Sequence, residues 1–139
     1  MTLKMKNLNI KIILNLKVHF DMKEFKNQKE LFLFIWNDRP HVSEISGLAL
    51  PGINSLLWIN CFAHILPKGK YPAFKLNPDN VILVTPAEHS LDHFSNRNKI
   101  EDYCKVHKCK WLFETRKLEM IKKYNEFIKV PYYEKVFNH

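Results

Sequence analysis

Residues 61–94 of the chain are CFAHILPKGKYPAFKLNPDNVILVTPAEHSLDHF. The segment contains two short apolar runs, separated by a connection rich in proline and lysine, and ends in a helix start signal. Apolar runs bounded by turn-forming residues predict strands, so we expect one strand ending at His64 and a second over residues 80–84. The segment therefore predicts two strands followed by a helix.

The start of that helix is marked by a capping box. Thr85 and Glu88 have the S/T-x-x-E spacing. Pro86 stands at the first helical position, where the lack of an N–H costs no hydrogen bond within the helix. The pattern predicts a helix that has Thr85 as its N-cap and extends to about Phe94.

Three histidines should meet on this unit. His89 and His93 are four residues apart, so their imidazoles lie one turn apart on one helix face, a spacing that allows both to bind one metal ion. His64 should stand on the strand packed against that face. Each residue also has an ordinary explanation: His64 as a structural histidine, and the helical pair as a chance spacing.

The ordered set resembles the HNH endonucleases, the ββα-metal nucleases found in phages and mobile elements. Three stretches carry the resemblance: CFAHILPKGKYP at 61–72, LNPDNVILVTP at 76–86 and EHSLDH at 88–93. The resemblance covers about residues 41–95 and implies an α+β protein with a ββα-metal core.

The resemblance also implies a role for each polar side chain. His64 would be the general base that activates water, and Asn80 would position it. His89 and His93 would hold one divalent cation, Mg²⁺ in the first place, with Mn²⁺, Ni²⁺ or Zn²⁺ as alternatives. Asp92 would either join these ligands or form a local polar pair with His89.

The chain departs from the family pattern at two places. The residue before the general base is usually an Asp or His that binds the metal, but here it is Ala63. Many relatives carry C-x-x-C knuckles that hold zinc, whereas HVSEISG has Ser43 and Ser46 at those positions, so we expect no zinc there. The cluster CKVHKC, with Cys104 and Cys109, shows only half of a four-ligand set and is expected to be unliganded.

The composition favours an anionic partner. Among the 139 residues, 22 Lys and Arg stand against 14 Asp and Glu, a formal net charge of +8. The resemblance makes DNA the expected partner, and we expect its phosphates to contact Lys68, Lys70, Lys75 and Arg97. The chain has only three glycines, which argues against a glycine-rich nucleotide cradle.

Three cysteines do not make a disulfide framework, and no segment reaches the roughly 18 apolar residues of a membrane span. We therefore expect a reduced cytoplasmic protein without a membrane partner, in a bacterium or a phage-infected cell.

The expected organisation is one domain over residues 1–139. A strand and helix over 1–40 precede the HNH core at 41–95, and a helical extension follows over 96–139. Alternating apolar residues over 8–20 predict an edge strand or hairpin arm, although a weakly docked tail or an oligomerisation strand has the same pattern.

Two further helices are expected outside the core. The first covers about residues 22–37, with Asp21 and Glu24 at its start, and the second covers about 110–129 after the polar joint SNRNK. The buried side of the second is expected to comprise Trp111, Leu112, Leu118, Ile121, Tyr124 and either Phe127 or Ile128.

These observations favour a metal-dependent DNA endonuclease. One site cuts one strand, so cleavage of a duplex requires either a homodimer or sequential nicking. Ala63 favours one alternative, a DNA-binding or interaction protein that has kept the fold and lost catalysis. The N-terminal alternation and the charge favour another, a basic protein of the membrane surface.

Overall fold

The chain adopts an α+β arrangement in a computed structural model that describes residues 25–129. In chain order, the regular elements are α1 (Gln28–Asp38), β1 (Phe62–His64), β2 (Val81–Leu83), α2 (Pro86–Phe94), α3 (Arg97–His107) and α4 (Leu112–Ile128). Short 3₁₀ turns lie at Trp58–Cys61, Pro72–Phe74 and Pro78–Asn80. The antiparallel pair β1–β2 followed by α2 matches the predicted order of two strands and a helix.

The hairpin separates two apolar clusters. β1 pairs with β2 so that Phe62 lies opposite Leu83, and because side chains alternate along a strand, Ala63 faces the other side. The cluster on the α1 side comprises Leu31, Phe32, Ile35, Trp36, Cys61, Phe62, Val81 and Leu83. The cluster on the α4 side comprises Ile45, Ala63, Ile65, Leu66, Phe74, Ile82, Val84, Phe113, Met120 and Phe127. The hairpin is thus held between α1 and α4.

α1 begins later than the sequence predicts. Residues 25–27 are not helical, and the N-cap is Asn27, whose side chain accepts a hydrogen bond from the Glu30 N–H at 2.9 Å. Asparagine is among the most favourable N-cap residues, and this cap fixes the start of the helix at Gln28. The strand predicted over 8–20 lies outside the described residues.

The capping box of α2 is confirmed. The Thr85 hydroxyl accepts from the Glu88 N–H at 3.1 Å, and the Glu88 carboxylate accepts from the Thr85 N–H at 2.8 Å. The helix ends at Phe94, as predicted. Because both hydrogen bonds are local, four residues of sequence were enough to locate this helix.

The polar joint is shorter than SNRNK, because only Ser95 and Asn96 lie between α2 and α3. Asn96 is the N-cap of α3, and its side chain accepts from the Lys99 N–H at 3.0 Å, so residues 97–99 are helical where a joint was expected. Ile100, Tyr103 and Cys104 recur at helical spacing, but this apolar pattern is short and no residue of α3 is buried.

The buried side of α4 also differs from the prediction. Phe113, Met120 and Phe127 are buried at intervals of seven residues, whereas Leu118 is 72% exposed and Ile121 is exposed too. Phe74 and Tyr124 are in edge contact, and the Phe74 and Phe127 rings lie 5.6 Å apart. Packing against the 72–74 turn therefore fixes which side of the helix is covered. None of the helices within residues 25–129 is long and apolar enough to cross a membrane.

The stretch HVSEISG forms a turn with a single β-bridge. Val42 pairs with Ala49 in an isolated antiparallel bridge, and Gly47 has a φ of 76°, a conformation that favours glycine. Ser43 closes the turn, because its N–H donates to the Leu48 carbonyl at 2.8 Å and its hydroxyl accepts from the Ile45 N–H at 3.0 Å.

A buried carboxylate connects this turn to α2 and α3. Glu88 is 0% exposed and accepts from the Ser43 hydroxyl at 2.5 Å and from the Tyr103 hydroxyl at 2.6 Å. We call Ser43, Thr85, Glu88 and Tyr103 the Glu88 cluster. Burial alone would raise the pKa of Glu88, but hydrogen bonds from Ser43, Ser46, Tyr103 and the Thr85 backbone hold that pKa below 4.5. Glu88 is therefore a carboxylate near neutral pH.

Candidate active site at the histidine cavity

A cavity of about 560 Å³ lies at the end of β1, and we call it the histidine cavity. His64 of β1 lines it together with three residues of α2: His89, Asp92 and His93. The connection after β1 adds Lys68 to the wall. Four of the side chains singled out in the sequence as base or metal ligands therefore share one cavity.

One nitrogen of the His64 ring is already engaged. Nε2 lies 2.9 Å from the Lys75 carbonyl oxygen, and a carbonyl only accepts, so Nε2 carries the proton and Nδ1 keeps its lone pair. Burial and electrostatic interactions with Lys68 and His89 lower the pKa of His64 below its ordinary value of 6.5. The hydrogen bond to the Lys75 carbonyl opposes this shift without cancelling it. The ring is therefore neutral and basic at pH 7.

Asn80 fixes the connection that supplies this carbonyl. Asn80 is 0% exposed, its Oδ1 accepts from the Leu66 N–H at 2.8 Å, and its Nδ2 donates to the carbonyls of Leu66 at 3.1 Å and Phe74 at 3.3 Å. These bonds hold both ends of the segment between β1 and the 72–74 turn. Asn80 thus acts on His64 through the backbone next to Lys75, without contacting the ring.

The two helical histidines are held in a similar way on α2. The His89 ring donates from Nδ1 to the Asn60 carbonyl at 2.8 Å, which leaves its Nε2 with a lone pair. The His89 and His93 rings lie with their centroids 4.9 Å apart, and His93 is exposed. Neutral imidazole nitrogens on one helix face are a suitable pair of metal ligands.

The ligand set is incomplete on the protein side. Ala63 is 1% exposed and packs in the α4-side cluster, on the opposite face of the hairpin from His64. Within residues 25–129 no group of three or more His, Cys, Asp or Glu side chains is arranged to hold a metal ion. His89 and His93 offer two imidazole nitrogens, so a cation bound there would take its remaining positions from water or phosphate oxygen.

The basic residues singled out in the sequence are distributed unevenly. Lys68 lines the histidine cavity and donates to the Gln28 side chain at 2.9 Å. Lys70 lies 5.8 Å from the centre of the Tyr71 ring, and Lys75 contributes its carbonyl to His64. The structure does not bring Arg97 to the cavity.

Arg97 lies at a separate hollow between α3 and α4, which Cys104 and Cys109 also line. Its guanidinium is paired with Glu101 at 3.2 Å and Glu114 at 3.4 Å. Two carboxylates already neutralise this charge, so its contribution to phosphate binding is reduced.

Two polar side chains of the histidine cavity were not predicted from the sequence. Gln28 comes from the first turn of α1 and Lys117 from α4, and both line the wall. No local pattern marks them, because they reach the cavity only through the packing of α1 and α4 on the two sides of the hairpin.

The cysteines lie away from the histidine cavity. Cys61 is buried, and burial raises the pKa of its thiol to about 11. Burial and the neighbouring Cys104 likewise raise the pKa of Cys109 to about 11. His107 is exposed and packs against the Tyr103 ring at 4.2 Å. The thiols of Cys61 and Cys109 are therefore protonated near neutral pH, and a protonated thiol binds metal poorly.

Comparison with known proteins finds no matching family model, no matching curated protein and no matching solved structure.

Proposed function

We propose that this chain is a metal-dependent HNH endonuclease that hydrolyses phosphodiester bonds in DNA. One observation carries the proposal: His64, with one nitrogen tied to a backbone carbonyl, shares a cavity with His89 and His93. In this interpretation β1, β2 and α2 are the ββα-metal unit, and their order is the one that the family resemblance implies.

In the proposed reaction His64 acts as the general base. Its Nδ1 has a lone pair directed by the bond from Nε2 to Lys75, so it can take a proton from a water molecule as that water attacks phosphorus. The lowered pKa of His64 keeps the ring in its basic form at neutral pH. Asn80 is a positioning residue in this scheme, since it holds the backbone that orients the ring.

His89 and His93 are the residues that would hold the divalent cation. When bound, such an ion supplies Lewis-acid stabilisation of the charge on the scissile phosphate and the leaving 3′-oxygen. Lys68 and Lys117, in the wall of the same cavity, attract the neighbouring phosphates. The site thus combines a base with two sources of positive charge.

A plasmid-nicking assay tests this function. Supercoiled DNA is incubated with the wild type, His64→Ala or His107→Ala in Mg²⁺, Mn²⁺, Ni²⁺ or Zn²⁺. We expect His64→Ala to nick about 100-fold or more slowly, the usual contribution of a general base, and to retain DNA binding. His107→Ala is the matched control, because this exposed histidine does not line the cavity, and it should nick at the wild-type rate.

A specific observation favours a second function, a DNA-binding protein of the same fold without catalysis. Ala63 offers no ligand and faces the apolar cluster on the α4 side, so the cation would depend on two imidazoles. If the wild type binds DNA but nicks it with none of the four ions, the second function stands and the endonuclease is excluded.

A further inference from the structure

We propose that Leu56 and Leu57 form an apolar wedge that inserts between adjacent base pairs of bound duplex DNA. The inference rests on the proposed function for its DNA substrate, and it adds which side chains contact the base pairs and how the duplex is deformed. It is carried by the exposure of the two leucines, by the hydrogen bonds and packing of the turn beneath them and by its contact with the histidine cavity.

The two leucines are exposed to an extent that the fold does not require. Leu56 is 97% exposed and Leu57 is 55% exposed, and the nearby Ile59 is 54% exposed. A single exposed leucine is ordinary, but three large apolar side chains within four positions form a patch of the kind that marks an interaction surface.

The turn that carries the leucines is closed by backbone hydrogen bonds and packed against aromatic rings. The Ser55 N–H donates to the Gly52 carbonyl at 2.9 Å, and the Trp58 N–H donates to the Ser55 carbonyl at 3.1 Å. Beneath the turn, the Trp58 ring packs edge-on against Phe62 at 4.8 Å and against Trp36 at 5.9 Å. A wedge needs such support, because a mobile loop would lose more conformational entropy on insertion.

The same turn forms part of the candidate active site. Ile59 lines the histidine cavity. The Leu57 carbonyl accepts from the Asn60 N–H at 3.1 Å, and the Asn60 carbonyl in turn accepts from Nδ1 of His89 at 2.8 Å. DNA seated on the leucines would therefore contact the same turn that holds the His89 ring.

Charge favours DNA over other occupants of this patch. Residues 45–67 contain no Asp or Glu, so the wedge carries no charge that would repel phosphate. Lys68 and Lys117 line the adjoining cavity, and the chain as a whole has a formal charge of +8. An apolar tip beside basic side chains matches a duplex, in which the apolar base stack lies between two rows of phosphates.

Insertion of such side chains partly unstacks a base step and kinks the duplex. The kink would turn one strand toward the histidine cavity and widen access to its phosphate. Leu56 and Leu57 would thus select for DNA that can be deformed, rather than for particular base edges.

The test is DNA unwinding, measured separately from cleavage. Closed circular plasmid is relaxed by topoisomerase I with full-length His64→Ala protein, which should bind without nicking, and its linking number is then determined. We expect the linking number to fall as protein is added. Adding Leu56→Ala and Leu57→Ala to that chain should reduce the change about fivefold or more, while a gel shift shows binding within about threefold.

Leu118→Ala in the same background is the matched control, because Leu118 is 72% exposed on α4 and does not line the histidine cavity. It should unwind DNA like its parent, and circular dichroism should show every variant folded. Equal unwinding with and without the two leucines would refute the wedge, and so would DNA binding with no unwinding. It would also be refuted if the two leucines were needed to form a dimer or to bind vesicles but not to bind DNA.

The outcomes separate the wedge from the endonuclease. Nicking by the wild type without unwinding by His64→Ala overturns the wedge alone. A second outcome is unwinding by His64→Ala that depends on Leu56 and Leu57, together with a wild type that nicks DNA with none of the four ions. This outcome supports the wedge and overturns the endonuclease. Absence of any DNA binding overturns both.

Discussion

His64 shows how a single residue is prepared for proton transfer by its surroundings. Burial is the largest influence on its pKa, and electrostatic interactions with Lys68 and His89 lower that pKa further, so the protonated ring is disfavoured. The Lys75 carbonyl opposes this effect but fixes which nitrogen carries the proton. The ring is therefore both oriented and unprotonated at neutral pH.

This environment predicts the acid limit of nicking. The basic form of His64 is lost only as the pH falls below 6.5, so the rate should reach half its plateau below that pH. Lys68→Ala removes one of the charges that lower the pKa, and the midpoint should move upward toward 6.5. Nicking rates between about pH 5 and 8 measure both midpoints.

Lys70→Ala is the control, because Lys70 lies by Tyr71 and is not among the groups that shift the pKa of His64. A wild-type midpoint at or above pH 6.5, or the same displacement from Lys70→Ala, would contradict the stated origin of the pKa.

At the residue scale, the order along the chain was enough to predict that His64, His89 and His93 lie close together, because His64 ends β1 and the other two histidines stand on α2, the helix that follows the hairpin. The contribution of Lys117 was not predictable, since its position depends on how α4 packs across the hairpin.

At the scale of elements, the Glu88 cluster attaches the helix that bears His89 and His93 to the rest of the fold. Glu88 closes the first turn of α2 and at the same time accepts from Ser43 and Tyr103, on two other segments. A carboxylate with several donors is stabilised in its ionised form even where it is fully buried.

Glu88→Gln should lower the free energy of unfolding at pH 7 by about 1–3 kcal/mol, because the amide places N–H donors against hydroxyl donors. The folded-state pKa of Glu88 lies below the ordinary 4.5, so its ionised form contributes stability above pH 4.5 that is lost as the pH falls through the folded pKa. The difference between wild type and Glu88→Gln should therefore shrink on acidification.

Urea unfolding at pH 7, and at steps below pH 4.5, measures this difference. Glu101→Gln is a suitable control, because that carboxylate is exposed on α3 and pairs with Arg97 at the surface. A Glu88→Gln chain as stable as the wild type at pH 7, or a difference that stays constant on acidification, would show that the cluster does not attach α2.

The elements differ in how far the sequence revealed them. α2 was located because its capping box is a local pattern. α3 was missed because its apolar pattern is short: Ile100, Tyr103 and Cys104 recur at helical spacing, but none of them is buried. On α4 the prediction was right for Phe127 and wrong for Leu118, which fits a helical stripe but points to solvent, and it omitted Phe113, which is buried in the α4-side cluster.

At the scale of the molecule, the hairpin is the common support of the site. α1 covers one face and α4 the other, so β1 is held from both sides while its last residue, His64, opens into the histidine cavity. The α+β class followed from the order of apolar runs and capping signals. The two-sided packing did not, because it joins segments far apart along the chain: Leu31 precedes Phe62 by 31 residues, and Ile82 precedes Phe113 by 31.

The central claim is that a divalent cation held by His89 and His93 lies in the same cavity as His64. Paramagnetic Mn²⁺ broadens the magnetic resonance signals of nearby nuclei, so the imidazole signals of the full-length protein report its position. We expect His89 and His93 to broaden first and His64 with them, while His41, which stacks on Trp36, and the exposed His107 stay sharp. Uniform broadening, or broadening of His41 or His107 before the three cavity histidines, would contradict the claim.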